Sequence, residues 1–253
     1  GHAAARAIMT TDTRPKEAVA SGGGFTVGGM AKGSGMIHPD LATMLAVITT
    51  DYPLKPGEAI DFLRPAVSES FNSISVDGEC STNDAVILLA NGASGLERTP
   101  ASDLAFAASL RAVCADLARQ IVADGEGATI LAEISVTGAA DHDQARAIAR
   151  RIATSPLVKT ALFGRDANWG RVLAAAGSAP WNGGYAELDP DRVTLAFNGQ
   201  TVIRAGRPLG TEPDPPQDLC RIELDLGLGH GSAYYLTSDF SYDYVRINAE
   251  YRT

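Results

Sequence analysis

Between Met30 and Thr50 the chain reads MAKGSGMIHPDLATMLAVITT, a glycine loop followed by an apolar run of strand-like length. One hydroxyl, that of Thr43, stands at the head of the run, directly after the small residue Ala42. A threonine hydroxyl is a weak nucleophile until a base takes its proton, and a buried strand can also hold such a hydroxyl with no chemical task. Three other loops hold residues that could do chemistry. Thr10-Thr11-Asp12-Thr13 is a run of cap and turn residues that also presents three hydroxyls. Asp124-Gly125-Glu126-Gly127-Ala128 follows a long helical pattern. There Glu126, between two glycines, can approach a ligand closely, or the segment is a glycine helix stop with a solvated carboxylate. Residues 164–171, GRDANWGR, read as a turn, with Arg165 and Arg171 either binding an anion or paired and solvated. Gly227-Leu228-Gly229-His230-Gly231 has the wrong glycine spacing for a phosphate loop and opens no helix, so it reads as a tight turn.

Lys32-Gly33-Ser34-Gly35-Met36-Ile37, then Pro39, then Leu41-Ala42-Thr43-Met44-Leu45, resembles the self-cleavage site of the ornithine acetyltransferases. These arginine-biosynthesis enzymes are also called bifunctional glutamate N-acetyltransferases. Ser81-Thr82-Asn83-Asp84, the DGEGA loop, residues 164–171 and the closing block Tyr244-Val-x-Ile-Asn248-x-x-Tyr251-x-Thr253 resemble the same family, so the likeness covers nearly the whole chain. Cys80 stands where another small residue is expected. The resemblance implies a chain break between Ala42 and Thr43, which frees the Thr43 α-amine beside its own hydroxyl. An α-amine has a reference pKa of roughly 7.7 to 8.0, so its neutral form can serve as the base. Nucleophile and base then share one residue, the N-terminal-threonine form of the triad. Residues 1–42 would be the end of an α chain whose earlier part precedes this sequence, and 43–253 the β chain. Two copies of each would make an α2β2 assembly.

The same resemblance implies ping-pong transfer of an acetyl group from N2-acetylornithine to glutamate through an acetyl-Thr43 ester. Lys32 would supply positive charge to a carboxylate or the oxyanion, and Glu126 would meet the ornithine ammonium or move a proton. Thr10, Asn248 and Thr253 would orient the substrate backbones. An oxyanion hole, at roughly 3 to 4 kcal/mol per donor, is expected from the segment before this sequence. No cofactor or metal is expected, although acetyl-CoA is a conceivable second donor. Two other functions stay open: an N-terminal-nucleophile amidase or aminopeptidase, and a non-catalytic fragment that binds amino acids.

The elements that must position these groups are legible in part. At 253 residues the chain can bury a sizeable core. A net charge of −9 without a basic cluster argues against nucleic-acid and membrane-surface roles. Cys80, Cys114 and Cys220 fit no metal spacing; they read as small buried hydrophobes and suit a reducing, cytoplasmic setting. Helices are expected over residues 3–9, 57–71 (with Pro65 kinking it or marking its first turn), 100–123 (Leu104, Ala108, Val113, Leu117 and Ile121 on one face) and 141–153 (Asp141 as N-cap). Strands are expected at 25–27, from 41 onward, and at 73–76, 85–89, 129–137, 221–226, 233–238 and 244–247. A hairpin turning at Asn198-Gly199 joins 192–197 to 201–204, and 210–218 reads as an acidic, proline-rich loop. Helices and strands mix without regular βαβ alternation. The expected fold is therefore a layered α/β sandwich of mixed or antiparallel sheets with helices, which the resemblance extends to an N-terminal-nucleophile-like, self-processing architecture.

Overall fold

The computed structural model describes residues 1–38 and 44–251, and the chain forms two compact units, residues 1–126 and 127–253. The proposed junction at 42/43 thus falls within the first unit's sequence, and Ala42, Thr43 and Thr253 lie outside the described residues.

The first unit runs α1 (His2–Ala7), β1 (Lys16–Gly22), β2 (Phe25–Lys32), β3 (Leu45–Thr50), α2 (Ala59–Ser68), a 3-10 turn (Phe71–Ser73), β4 (Ile74–Ser75), β5 (Ala85–Ala90) and α3 (Pro100–Ala123). Its sheet has the order β1-β2-β3-β5. The first three strands are antiparallel, and β3 pairs with β5 in parallel. A parallel return needs a crossover, which the helical connection through α2 provides. α3 lies against β1 and β2. Its start is fixed by a capping box: the Thr99 hydroxyl accepts from the Ser102 N–H while the Ser102 hydroxyl accepts from the Thr99 N–H. The face that α3 buries carries Phe106, Leu110, Val113, Leu117 and Ile121. Leu104, expected there, is 73% exposed, and Ala108 is also exposed, because each lies two residues from Phe106 and so on the opposite side of the helix. Phe25, Tyr52, Phe62 and Phe106 close this core, with Tyr52 stacked on Phe106 at 4.4 Å between centroids. Pro65 lies inside α2, past its first turn.

The second unit contains β6 (Leu131–Ala139), α4 (His142–Ala153), α5 (Pro156–Phe163), α6 (Trp169–Gly177), the short strands β7 (Pro180–Trp181) and β8 (Gly184–Tyr185), then β9 (Thr194–Phe197), β10 (Gln200–Arg204), β11 (Arg207–Pro208), β12 (Leu219–Asp225), β13 (Gly231–Ser238) and α7 (Tyr242–Glu250). Its main strands lie in the order β11-β10-β9-β12-β6-β13. β12 and β6 are parallel, and the other pairs are antiparallel. β6 is apolar on the face that meets α4, where Ile134 and Val136 pack with Ala145, Ile148 and Ile152. Asn198 and Gly199 both take positive φ, at 49° and 78°, as a tight two-residue hairpin turn requires. Asp141 caps α4 by accepting from the Gln144 N–H at 2.7 Å. The expected α/β architecture with mixed sheets is therefore present.

Several local expectations fail. Residues 244–247, read as a strand, belong to α7, which starts where the Ser241 hydroxyl accepts from the Tyr244 N–H. Every residue of α7 escapes full burial, so the apparent alternation of Tyr244, Val245, Arg246 and Ile247 reports no buried face. Residues 164–171 are a turn only up to Asn168, whose side chain caps α6. α5, for which no helix was expected, follows Ser155 with Pro156 at its first position, where a missing N–H costs the helix nothing. Cys80 is exposed, whereas Cys114 and Cys220 are buried, and burial pushes each buried thiol up to about 12.

Candidate functional site

In the first unit the candidate residues are held by buried charge. Lys16, at the start of β1, is fully buried, and its ammonium donates to Asp12 Oδ1 at 2.5 Å and to Asp124 Oδ2 at 2.6 Å. Asp12 also accepts the Gly33 N–H at 2.8 Å and the Thr10 N–H at 3.1 Å. Asp124, just beyond α3, accepts the Thr13 N–H at 3.0 Å and the Thr13 hydroxyl. One lysine therefore ties together the 10–13 loop, the glycine loop and the 124–127 loop. Burial pushes the Asp12 carboxyl up, but the Gly33 N–H, the Lys16 ammonium and the Thr10 N–H outweigh it and hold the carboxyl below its ordinary range.

This framework seats Glu126 against the glycine loop. The Glu126 N–H donates to the Ser34 carbonyl at 2.8 Å. Its carboxylate lies so close to Gly35 that a Cβ there would fall well inside van der Waals distance of all three carboxylate atoms. Gly35 is thus a close-approach glycine, not only a flexible one. Thr11 joins the same loop through a 2.6 Å hydrogen bond to Ser34 Oγ. Thr10 is exposed and anchored on Asp12.

Lys32 is 7% exposed at the end of β2, opposite Leu45 at the start of β3. Asp84 is within reach of its charge and accepts the Met44 N–H at 2.6 Å. Burial raises the Asp84 carboxyl, and the Met44 N–H and Lys32 only partly offset it. Asp84 therefore holds the residue bonded to Thr43, and Lys32 stands opposite the residue after that one. In the second unit Asn248 is exposed on α7, where its amide donates to the Tyr244 carbonyl at 3.1 Å.

The structure thus brings Thr10, Lys32 and Glu126 onto one framework in the first unit, and Asn248 belongs to the second. Sequence reasoning gave no role to Asp12, Lys16 or Asp124. Asp12 and Lys16 are four residues apart, but Pro15 lies between them and Lys16 opens a strand rather than a helix turn, and Asp124 is 108 residues from Lys16, so no local pattern joins the three. Arg165 and Arg171 bind neighbouring chain: Arg165 donates to the Pro216 carbonyl and Arg171 to the Leu157 carbonyl, each at 2.8 Å. Among the described residues, no cluster of three or more His, Cys, Asp or Glu side chains could hold a metal ion, and no helix is long and apolar enough to cross a membrane.

The model described as the ArgJ family matches residues 1–253. The chain belongs to the ArgJ family. It is 50% identical over 254 residues to the arginine biosynthesis bifunctional protein ArgJ of Mycolicibacterium paratuberculosis, covering 99% of this chain and 61% of that protein. It is 47% identical to the glutamate N-acetyltransferase of Methanopyrus kandleri, covering 98% of this chain and 65% of that protein. The ArgJ-family chain therefore spans a little under two thirds of the length of these relatives. The crystal structure of the arginine biosynthesis bifunctional protein argJ from Bacillus halodurans matches with a TM-score of 0.72 and 38% identity, over 80% of this chain and 97% of that one. Within the ArgJ family, then, the buried Lys16 brace and the Gly35–Glu126 contact are the features of this chain that shape the loops around the candidate site.

Proposed function

We propose that this chain is the nucleophile-bearing part of an acetyltransferase that moves the acetyl group of N2-acetylornithine to glutamate. The observation that carries the reading is that Asp84 and Lys32 meet the chain at Met44 and Leu45, the two residues following Thr43, in a chain of the ArgJ family. Self-cleavage between Ala42 and Thr43 leaves residues 1–42 as the end of an α chain and 43–253 as a β chain that begins with its own nucleophile and base. The Thr43 hydroxyl adds to the acetyl carbonyl of the donor, and its proton passes to the α-amine. The bond from carbonyl carbon to donor nitrogen breaks as that nitrogen takes the proton, and ornithine leaves. The glutamate α-amine then attacks the acetyl-Thr43 ester and restores the hydroxyl.

Lys32 is suited to the developing negative charge or to a substrate carboxylate, because a buried ammonium acts in a medium of low effective dielectric. Glu126, held against Gly35, is suited to the side-chain ammonium of ornithine. Thr10, Asn248 and Thr253 complete the set as contacts to the α-carboxylate and backbone of donor and acceptor. Acetyl-CoA as an alternative donor, an α2β2 assembly and a cytoplasmic setting belong to the same reading.

The test is the denatured mass of the full-length protein. A chain beginning at Thr43, followed by glutamate-dependent loss of acetylornithine, supports the reading. An active protein whose chain is intact at Ala42–Thr43 overturns it, and acetate release that ignores glutamate assigns the protein to the amidases instead.

A further inference from the structure

The connection from β4 to β5, residues 76–84, takes part in no bond-making step above beyond placing Asp84 at Met44, and its two aspartates bond to the backbone on both sides of residues 39–43. Upstream, Asp77 accepts the Met36 N–H at 2.7 Å through Oδ2 and the Ile37 N–H at 3.0 Å through Oδ1. The Ile37 carbonyl in turn accepts the Val76 N–H at 2.8 Å and the Ser75 hydroxyl at 3.1 Å. Downstream, Asp84 accepts the Met44 N–H at 2.6 Å, and the Met44 carbonyl accepts the Ala85 N–H at 3.1 Å. The connection is itself organised: the Gly78 N–H donates to the Ser75 hydroxyl and the Glu79 N–H to Asp77. Met36 sits at φ 53°, a left-handed conformation that a non-glycine residue keeps only when its surroundings impose it. One short connection therefore holds the chain at residues 36–37 and again at residue 44.

We propose that residues 76–84 are a brace for self-cleavage, with Asp77 positioning the chain before the scissile bond and Asp84 positioning the residue that follows the nucleophile. The proposal rests on the reading of Thr43 given above. In self-cleavage the Thr43 hydroxyl adds to the Ala42 carbonyl carbon, the Ala42–Thr43 C–N bond breaks, and the nitrogen takes the hydroxyl proton. Water then hydrolyses the ester, giving the Ala42 carboxylate and a free Thr43. Addition needs the backbone bent into one geometry, and fixing both flanks removes the alternatives before reaction. Hydrogen bonds from N–H groups to a carboxylate are the strong kind suited to this. Asp77 and Asp84 act through the backbone and are positioning residues.

The test uses full-length protein and follows the cleaved fraction by denatured mass over time. Asp84→Ala and Asp77→Ala are expected to slow cleavage by about ten- to a hundredfold, the range for losing a hydrogen bond to a charged acceptor. Asp84→Asn keeps an acceptor oxygen for its single N–H and is expected within about threefold of wild type. Asp77→Asn has one acceptor oxygen for the three N–H groups of Met36, Ile37 and Glu79 and is expected to fall between wild type and alanine. A merely structural role would lower the unfolding midpoint without producing this order among the asparagine variants. Folded alanine variants that cleave at the wild-type rate overturn the brace and leave the Thr43 reading standing; so does Asp84→Asn cleaving as slowly as Asp84→Ala. If the alanine variants fail to fold, the asparagine pair decides. A wild type that is active but never cleaves removes the Thr43 reading itself.

Discussion

Each unit encloses one lysine almost completely, Lys16 in the first and Lys159 in the second, and the two are buried for different purposes. Lys16 of the first unit is fully enclosed between two carboxylates on separate loops. Lys159 of the second, 1% exposed, donates to the Thr237 hydroxyl and the Ser238 carbonyl and lies 4.6 Å from the centre of the Phe240 ring. The second arrangement joins α5 to the end of β13 through a hydroxyl and a carbonyl, beside a mostly aliphatic core that also holds Phe197 and Tyr235. The first places opposite charges where loops, not elements, must be held. Charge is thus concentrated in the unit that holds Lys32 and Glu126, and the comparison gives a direct experiment. Lys16→Met leaves two buried carboxylates without their cation and is expected to cost about 3–5 kcal/mol. Lys159→Met leaves the Thr237 hydroxyl and the Ser238 carbonyl short of a donor and is expected to cost about 1–3 kcal/mol. Hydrogen exchange read separately over β2 and β13 ranks the two, and an equal loss of protection would remove the distinction.

The next effect is on activity. Gly35→Ala puts a methyl where the Glu126 carboxylate now lies, and the flexible end of Glu126 can swing aside with little harm to the fold. Stability is expected to fall by about 1 kcal/mol at most, since only the flexible end of one side chain has to move. kcat/KM for acetylornithine is expected to fall by about ten- to a hundredfold, as it would for Glu126→Gln, if the contact to the ammonium is charge-assisted. Steady-state kinetics of the processed, full-length enzyme check this. Unchanged kcat/KM in both variants would take Glu126 out of the site.

What could be read from the sequence follows the same division. In the second unit β6, α4, the Asn198-Gly199 hairpin, β12 and β13 were legible, because each announces itself by alternation, by a cap or by a turn pair. α7 was not, since an exposed helix carries no buried stripe and only Ser241 marks its start. In the first unit Lys32 and Glu126 were legible through short glycine-flanked segments. Their supports were not. Lys16 and Asp124 meet over 108 residues and Asp77 reaches Ile37 over 40, and no window along the chain contains both partners of either contact. Resemblance named the residues expected to touch substrate, and the fold alone showed what holds them.

A smaller effect separates the units by pH. The Asp12 carboxyl is held below its ordinary value in the folded protein. Its contribution to stability is therefore present above its unfolded pKa, near 3.9, and is lost as pH falls through the depressed folded value. In wild type the denaturant midpoint of the first unit should fall as pH drops through the range below about 4. In Asp12→Asn that part of the acid dependence should be missing, although the variant starts from a lower stability. An identical pH slope in the two proteins would mean that the Lys16 brace does not discriminate between the states of Asp12.

The smallest effect tests whether polar groups at the far end of the first unit matter as much as those at the site. The Tyr52 hydroxyl donates to Asp103 at 2.6 Å and bonds to Ser102 at 2.9 Å, and the Arg98 guanidinium donates to the same Asp103. Burial, and then the hydrogen bond to Asp103, push the Tyr52 hydroxyl up, so it stays a donor through neutral pH. Tyr52→Phe keeps the ring stacked on Phe106 and removes only the hydroxyl. Asp103 then still has Arg98, and Ser102 keeps its part in the cap of α3. With no buried charge abandoned, the loss should be near the ordinary value for one hydrogen bond, about 1 kcal/mol, with kcat/KM unchanged. Denaturant unfolding measures the first and steady-state kinetics the second. A cost matching that of Lys16→Met would show that this end of the unit depends on its polar network as heavily as the loops around Glu126 do.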